Sequence, residues 1–305
     1  MSDTAITFPI FGDGFVLNPQ RYLEIFGFKI YWYGLIIALG FIVAALYLLK
    51  RRKVFGLEED DVYTKIIFAV PLGIIGARLY YIVFNFDSFR ADTFGEFIKN
   101  CLNVRNGGLA IYGGVIFGII GLILSAKVRK VKIGTALDVG AFGVIIGQIF
   151  GRWGNFINRE AYGISANVDS FFLRMGLTTP DGVTTYVHPT FLYESVWNLI
   201  GFIILHFVSK KRKFDGQIFA MYVAWYGLGR FFVEGLRADS LYFFGTSLRV
   251  SQALAAISCI AAVMYLILRL GDKAGCDPDK LYVNIVKARS NNNSEDNDNN
   301  DKEEN

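Results

Sequence analysis

Seven apolar runs, each near the ~20 residues that carry a helix across a bilayer, constrain this chain more than any other feature. They cover roughly residues 30–49, 62–86, 107–126, 133–151, 189–208, 216–235 and 248–269. Hydrocarbon offers no partner for a bare N–H or C=O, so runs of this length must be helices. The composition agrees: 53% of the 305 residues are hydrophobic and 28 are Phe, too apolar for an ordinary soluble domain. No linker and no internal repeat separates the runs, so residues 1–289 read as one membrane domain. The second run contains Pro71, which predicts a kink or tilt. The tail 290–305 is acidic and rich in Asn. It has nothing to bury and is expected to be disordered.

The charges between the runs set a direction. Lys50-Arg51-Arg52-Lys53, then Lys127, Arg129, Lys130 and Lys132, then Lys210-Lys211-Arg212-Lys213 follow runs one, three and five. The alternate loops, 87–106, 152–188 and 236–247, are longer and mix their charges. Positive charge stays in the cytoplasm, so the N-terminus is expected outside and the C-terminus inside. The fold class is therefore an all-α polytopic membrane protein of seven transmembrane helices. Residues 153–187 would form a small extracytoplasmic cap between helices 4 and 5. The N-terminus shows no basic region ahead of an apolar core, which argues against a cleaved signal peptide. Gly143, Gly147 and Gly151 recur every four residues in run four and predict a bare face for tight helix packing.

Polar residues inside the runs crowd toward that outer side. Arg78 lies eight residues before the outer end of run two, ~12 Å deep at 1.5 Å per residue. Glu194 lies just inside run five, whose start is His188. Arg230, Glu234 and Arg237 share one face at the outer end of run six. Tyr33 and Tyr112 open runs one and three, and Asp138 is the one conspicuous charge in an inner half. Taken singly, each has a bland reading. Arg230, Glu234 and Arg237 can neutralise one another along a helix, and the tyrosines with Trp32 can be interface aromatics. With Arg152, which caps run four on the outside, four Arg against two Glu leave a positive excess that calls for an anion. At that depth the common anion is a phospholipid phosphate.

The densest stretch is Gly151-Arg152-Trp153-Gly154-Asn155-Phe156-Ile157-Asn158-Arg159-Glu160-Ala161-Tyr162-Gly163. A helix needs one Gly to stop, not this mixture of Arg, Asn, Glu and Gly. Fork-shaped donors beside glycines suit an anion with close backbone approach. The cysteines Cys101, Cys259 and Cys276 have no metal-like spacing, and with only His188 and His206 a His-based metal centre is not expected.

The pattern G-R-x-G-N-F-x-N-x-E-x-x-G resembles the signature of the prolipoprotein diacylglyceryl transferases. Four further segments resemble that family in order and spacing. They are Tyr31-Trp32-Tyr33-Gly34, Gly107-Gly108-Leu109-Ala110-Ile111-Tyr112-Gly113-Gly114, the element from His188-Pro189 to Tyr193-Glu194, and the one from Tyr226-Gly227 to Arg237. Gly76-Ala77-Arg78 resembles its second-helix arginine. The resemblance implies transfer of a diacylglyceryl group from phosphatidylglycerol to the lipobox cysteine of a preprolipoprotein signal peptide, forming a thioether and releasing glycerol phosphate. It implies a multi-pass protein of the bacterial plasma membrane with its site toward the outer leaflet. The partners would be phosphatidylglycerol, the signal peptide and the bilayer, not nucleic acid, and no cofactor or metal is implied. Some members carry His where this chain has Tyr112. A phenol with a reference pKa of about 10 is a poor base at neutral pH.

On this resemblance Arg152 and Arg230 contact the phosphate, and Arg237 and Arg78 hold the field or the headgroup. Asn155 and Tyr33 donate hydrogen bonds to it, with Asn158 and Tyr226 alongside. Glu160, Glu194 and Glu234 orient the arginines, or one of them takes the thiol proton. His188 and Tyr112 are further candidates for the proton path. Gly154 and Gly163 let the outer segment approach. Two rival classes remain at this stage: an anion transporter, whose polar residues should cross both leaflets, and a lipid-binding scaffold without turnover. The apolar inner halves argue against the first, and the crowding at 151–163 against the second.

Overall fold

The computed structural model describes residues 4–12, 14–104, 107–164, 171–238, 242–243, 246 and 248–303. Strands β1 (Ala5–Thr7), β2 (Val16–Leu17), β3 (Tyr22–Ile25) and β4 (Phe28–Tyr31) come first. Helices α1 (Trp32–Arg51), α2 (Glu59–Phe84), α3 (Phe94–Leu102), α4 (Ile111–Val128) and α5 (Ile133–Asn158) follow. Strands β5 (Met175–Thr178) and β6 (Thr184–Val187) precede α6 (Thr190–Val208), α7 (Gln217–Leu236), α8 (Val250–Gly271) and α9 (Tyr282–Glu303).

Six helical segments of the described residues are long and apolar enough to cross a membrane. They include α1, α2, α4, α5, α6 and α8. The seventh expected run is also a helix, α7, but its apolar sequence is interrupted by Arg230 and Glu234. Large side chains such as Leu39, Ile42 and Leu46 of α1 and Ile257, Met264 and Leu268 of α8 are exposed. Water would not tolerate that much bare apolar surface, whereas lipid does. The protein is a mostly helical, polytopic membrane protein. Pro71 does not break α2, which continues on both sides of it.

The chain divides into two compact units. One comprises Met1–Tyr47, Ala141–Lys211 and Ala220–Asp272. Here the all-α expectation is corrected, because β1, β2, β5 and β6 form an antiparallel sheet in the order β2-β1-β5-β6. Ile6 pairs with Leu177 and Met175 with Val187, and these four bury a small core with Phe191 of α6. Alternation over strands of two to four residues is too short a signal to read, and the pairing joins segments some 170 residues apart. The cap also begins later than residue 153, because α5 runs on to Asn158. Arg159 then takes a left-handed backbone conformation and donates to Thr4 O (2.6 Å), Asn18 Oδ1 (2.8 Å) and Pro19 O (3.0 Å). This arginine of the signature ties the N-terminal strands to the end of α5.

In the same unit α6 and α7 are locked by a reciprocal tryptophan pair. Trp197 Nε1 donates to Trp225 O at 3.0 Å, and Trp225 Nε1 donates to Trp197 O at 2.9 Å. The rings stack with centroids 4.3 Å apart. Each indole lies where a glycine of the facing helix leaves room. A Cβ on Gly229 would stand 2.2 Å from Trp197 Nε1, and one on Gly201 2.3 Å from Trp225 Nε1. The expected glycine face of α5 is not of this kind. A Cβ on Gly147 would meet nothing within 4 Å, and one on Gly151 makes only ordinary contact with Ile37.

The other unit comprises Leu48–Gly140, Arg212–Phe219 and Lys273–Asn305. Its seam is α2 against α4, where a Cβ on Gly113 would stand 2.2 Å from Gly76 O. Asp138, the odd charge of the inner half, accepts the N–H groups of Gly216 and Phe219, each at 2.9 Å. It thus satisfies open amides at the start of α7. The backbone of α9 continues as helix through the Asn-rich stretch from residue 290, for which composition predicts no packed structure.

The indole lock makes a specific claim about stability. Gly229→Ala forces Trp197 off its seat and should destabilise the detergent-solubilised protein by about 1–3 kcal/mol. Gly147→Ala should leave its thermal unfolding unchanged. Equal midpoints for the two variants would remove the lock from the account.

Candidate active site

The first eight signature residues, Gly151 to Asn158, are helical. Arg152, Asn155 and Asn158 follow one another at three-residue steps on the last turns of α5, so they line one side of the helix. This corrects the expectation that Arg152 caps the helix: it stands six residues before its end. Glu194 lies in the second turn of α6, and Arg230 and Glu234 are one turn apart on α7.

Three helices meet at one carboxylate. Arg152 Nη2 stands 2.6 Å from Glu194 Oε2, and Arg230 Nη1 stands 3.2 Å from Glu194 Oε1. The second fork nitrogen of Arg230 reaches Glu234 Oε2 at 2.5 Å. The carboxylates are deeply buried, with side chains 5% and 2% exposed, whereas the side chains of both arginines are 16% exposed. Charge-assisted bonds at such burial are strong only while both partners remain, since an orphaned buried charge costs several kcal/mol. Glu194 therefore presents two guanidinium groups on either side of a single anionic centre.

A polar chain leads outward from Arg152. Its Nη1 donates to Asn155 Oδ1 at 3.4 Å, and Asn155 Nδ2 donates to Glu160 Oε1 at 2.9 Å. Asn158 Nδ2 approaches the same Glu160 oxygen at 3.4 Å. Tyr33 of α1 lies in the field of both Glu160 and Arg152. A Cβ on Gly154 would stand 2.5 Å from the Tyr33 ring, so this glycine is what lets α1 and α5 approach there. Gly163 has a similar role. Its N–H donates to His188 O at 2.9 Å, it bridges to Arg237, and a Cβ there would stand 2.7 Å from that of His188. Both glycines make room for protein.

Some expected residues are placed differently. Arg78 belongs to the second compact unit. Its Nε donates to Cys101 O, its Nη1 to Gly107 O and Gly108 O, and its Nη2 to Asn100 O and Asn103 O, all within 3.0 Å. Each N–H of the fork thus has a backbone carbonyl, and Arg78 shapes the 100–108 segment. Tyr112 is in the same unit, with its ring centroid 6.3 Å from that of Tyr80. Tyr226 stacks on Tyr222, whose hydroxyl accepts from Gln148 Nε2. His188 Nδ1 lies 3.2 Å from the Tyr193 hydroxyl, and burial pushes its imidazole below the ordinary range. It is therefore neutral at pH 7.

Three contributors went unread in the sequence. Arg249 Nη1 donates to the backbone carbonyl of Glu234, which brings another guanidinium to the end of α7. Its only signal was an arginine at the start of the last apolar run. Trp153 Nε1 donates to Ser195 Oγ at 3.1 Å, fastening α5 to α6 next to Glu194. Gln252 Nε2 donates to Phe231 O at 3.0 Å and holds the end of α7 against α8.

The arrangement offers a buried anionic bridge, partly open guanidinium forks and a carboxylate, Glu160, whose partners are neutral amides. Such a site can hold a phosphate and a polar nucleophile in one field. Comparison with known proteins identifies a family. The family description "Prolipoprotein diacylglyceryl transferase" matches residues 20–268. A phosphatidylglycerol–prolipoprotein diacylglyceryl transferase of Enterococcus faecalis is 44% identical over 257 residues, 81% of this chain and 88% of the relative. A protein of the same name from Finegoldia magna is 43% identical over 79% of this chain and 92% of the relative. Another from Clostridium botulinum is 39% identical over 82% and 96%. With its signature helix, its three-helix ion cluster and these relatives, the chain belongs to the prolipoprotein diacylglyceryl transferase family.

Proposed function

We propose that this protein transfers the diacylglyceryl group of phosphatidylglycerol to the lipobox cysteine thiol of a preprolipoprotein signal peptide. The observation that carries the reading is Glu194 held between Arg152 and Arg230, in a chain whose relatives are named for this lipid and this acceptor. The reaction is a substitution at carbon. The S–C bond forms, the C–O bond to phosphate breaks, and glycerol phosphate leaves with the bonding pair. The thiol proton passes to a base and then to water.

Two demands follow, and the site meets both. Charge growing on the departing phosphate needs preplaced donors, and the exposed edges of Arg152 and Arg230 supply them. The thiol, with a reference pKa of about 8.5, must ionise, and the same cationic field favours the thiolate. Glu194 and Glu234 hold the forks in place. Glu160 is the better proton acceptor, because its contacts are the Asn155 and Asn158 amides. Asn155 and Tyr33 face the headgroup oxygens, while Arg237 and Arg249 add positive field. His188 acts on structure near the site, and Arg78 on the 100–108 segment of its own unit.

We place the site toward the outer leaflet of a bacterial plasma membrane, in a bundle of seven spans with the N-terminus outside. The compact Lys/Arg loops after α1, α4 and α6 support this direction. The length of α7, 20 residues, supports counting it as a span whose charged end lies in the site.

Purified protein, phosphatidylglycerol and a lipobox peptide should yield a diacylglyceryl thioether detectable by mass spectrometry. An unmodified peptide with competent substrates would overturn the activity. Arg152→Ala and Arg230→Lys should lower turnover roughly 10²-fold or more, since ammonium cannot make the forked contact. Full activity of Arg230→Lys would exclude bidentate recognition. Glu160→Gln should lose most turnover and Tyr112→Phe little. The reverse order would move the proton path to the phenol. His188 contributes stability that is present above its ordinary pKa of about 6.5 and is lost as pH falls through the depressed folded value. His188→Gln should therefore reduce the drop in unfolding midpoint between neutral and acidic buffer.

A further inference from the structure

The ribbon β3–β4, immediately before α1, has a pattern that the transferase site does not use. Its register pairs Tyr22 with Tyr31, Leu23 with Ile30, Glu24 with Lys29 and Ile25 with Phe28. Side chains alternate across a ribbon, so Leu23, Ile25, Phe28 and Ile30 share one face. Tyr22, Glu24, Lys29 and Tyr31 share the other, where Lys29 Nζ sits 4.7 Å over the Tyr22 ring. The apolar face is bare: Phe28 is 76% exposed, and Leu23, Ile25 and Ile30 are exposed as well. The neighbouring four-stranded sheet, by contrast, buries Ile6, Met175, Leu177 and Val187.

The tip is more telling. Phe26 and Gly27 form the two-residue turn, both in the left-handed region at φ 51° and 78°. That turn favours Asn-Gly or Asp-Gly, because a bulky side chain is strained there. This chain instead places Phe at the strained position and leaves it 97% exposed. A break of the local rule without folded-state benefit marks a contact made elsewhere.

We infer that the β3–β4 ribbon is an interfacial membrane anchor, its apolar face and Phe26 tip seated among the lipid head groups and upper acyl chains. Continuity with the membrane surface selects lipid as the occupant. Trp32 begins α1 directly after Tyr31, and its N–H closes the ribbon base on Arg21 O at 3.0 Å. The ribbon is thus fixed to the end of an apolar helix that presents Leu35, Leu39, Ile42 and Leu46 outward. Strands of four residues reach roughly 13 Å, so the whole ribbon stays within the interfacial zone. Tyr22, Tyr31, Trp32 and Tyr33 supply the aromatics that favour that zone. The polar face with Glu24 and Lys29 is left to water, in the manner of an interfacial amphipathic helix. Seated this way, the ribbon holds the first turn of α1, and with it Tyr33, at head-group depth.

Full-length protein with Cys101, Cys259 and Cys276 replaced by Ala tests this. Phe26→Cys and Phe28→Cys, and Glu24→Cys on the other face, each receive a polarity-sensitive fluorophore. The variants are reconstituted in phosphatidylglycerol–phosphatidylcholine vesicles, with and without lipid spin-labelled on the acyl chain. Labels at positions 26 and 28 should emit to the blue, lose intensity to the spin-labelled lipid and resist iodide. The label at position 24 should respond to iodide alone. Iodide quenching at 26 and 28 with no loss to the lipid probe would overturn the anchor. A blue shift there that appears only when lipobox peptide is added would also overturn it and assign the face to the acceptor. Positions 26 and 28 report independently, and unfolding midpoints matching the cysteine-free parent confirm that each labelled chain is folded.

Discussion

The carboxylate of Glu194 is the junction of the candidate active site. It binds a guanidinium from α5 and another from α7 at once, and Glu234 holds the far side of the second. In a low-dielectric interior a guanidinium left without such a partner would be costly to bury and would have nothing to hold its orientation. The arginine side chains are more exposed than the carboxylates, so the anionic centre is the more deeply covered part of the cluster.

The junction depends on how closely the helices approach. Trp197 and Trp225 exchange hydrogen bonds with each other's backbone one turn from Glu194 and Arg230, over glycines that leave the rings space. Trp153 reaches Ser195 from α5, and Gly154 admits the Tyr33 ring from α1. Arg159 and the small sheet fasten the chain's beginning to the same end of α5. Short contacts of this kind replace the hydrophobic effect, which gives no drive between helices surrounded by lipid.

Much of this was legible before any coordinates. The helices of the bundle are readable because apolar run length is a strong constraint, whereas the pairing of Arg152 and Arg230 with Glu194 was an expectation taken from the family resemblance. Arg78 shows where such reading stops. A buried arginine looks the same in sequence whether it serves a phosphate or a set of backbone carbonyls. Asp138 is similar, since a charge in an apolar run does not announce that it satisfies the start of another helix. Gly147 repeats at the right spacing and packs against nothing, because periodicity marks a face without naming its neighbour.

The sequence alone determined that the chain is a helical membrane protein, because bare backbone is costly in lipid wherever the helices lie. Tertiary structure decided which donors remain open for a ligand. It assigned carbonyls to Arg78, a shared carboxylate to Arg152 and Arg230, and neutral amides to Glu160. It also decided the strand pairing of the cap and the bare face of the ribbon before α1. Hydrogen bonds and ion pairs act over a few ångströms between residues far apart in the chain, and residue order does not specify which of them will meet.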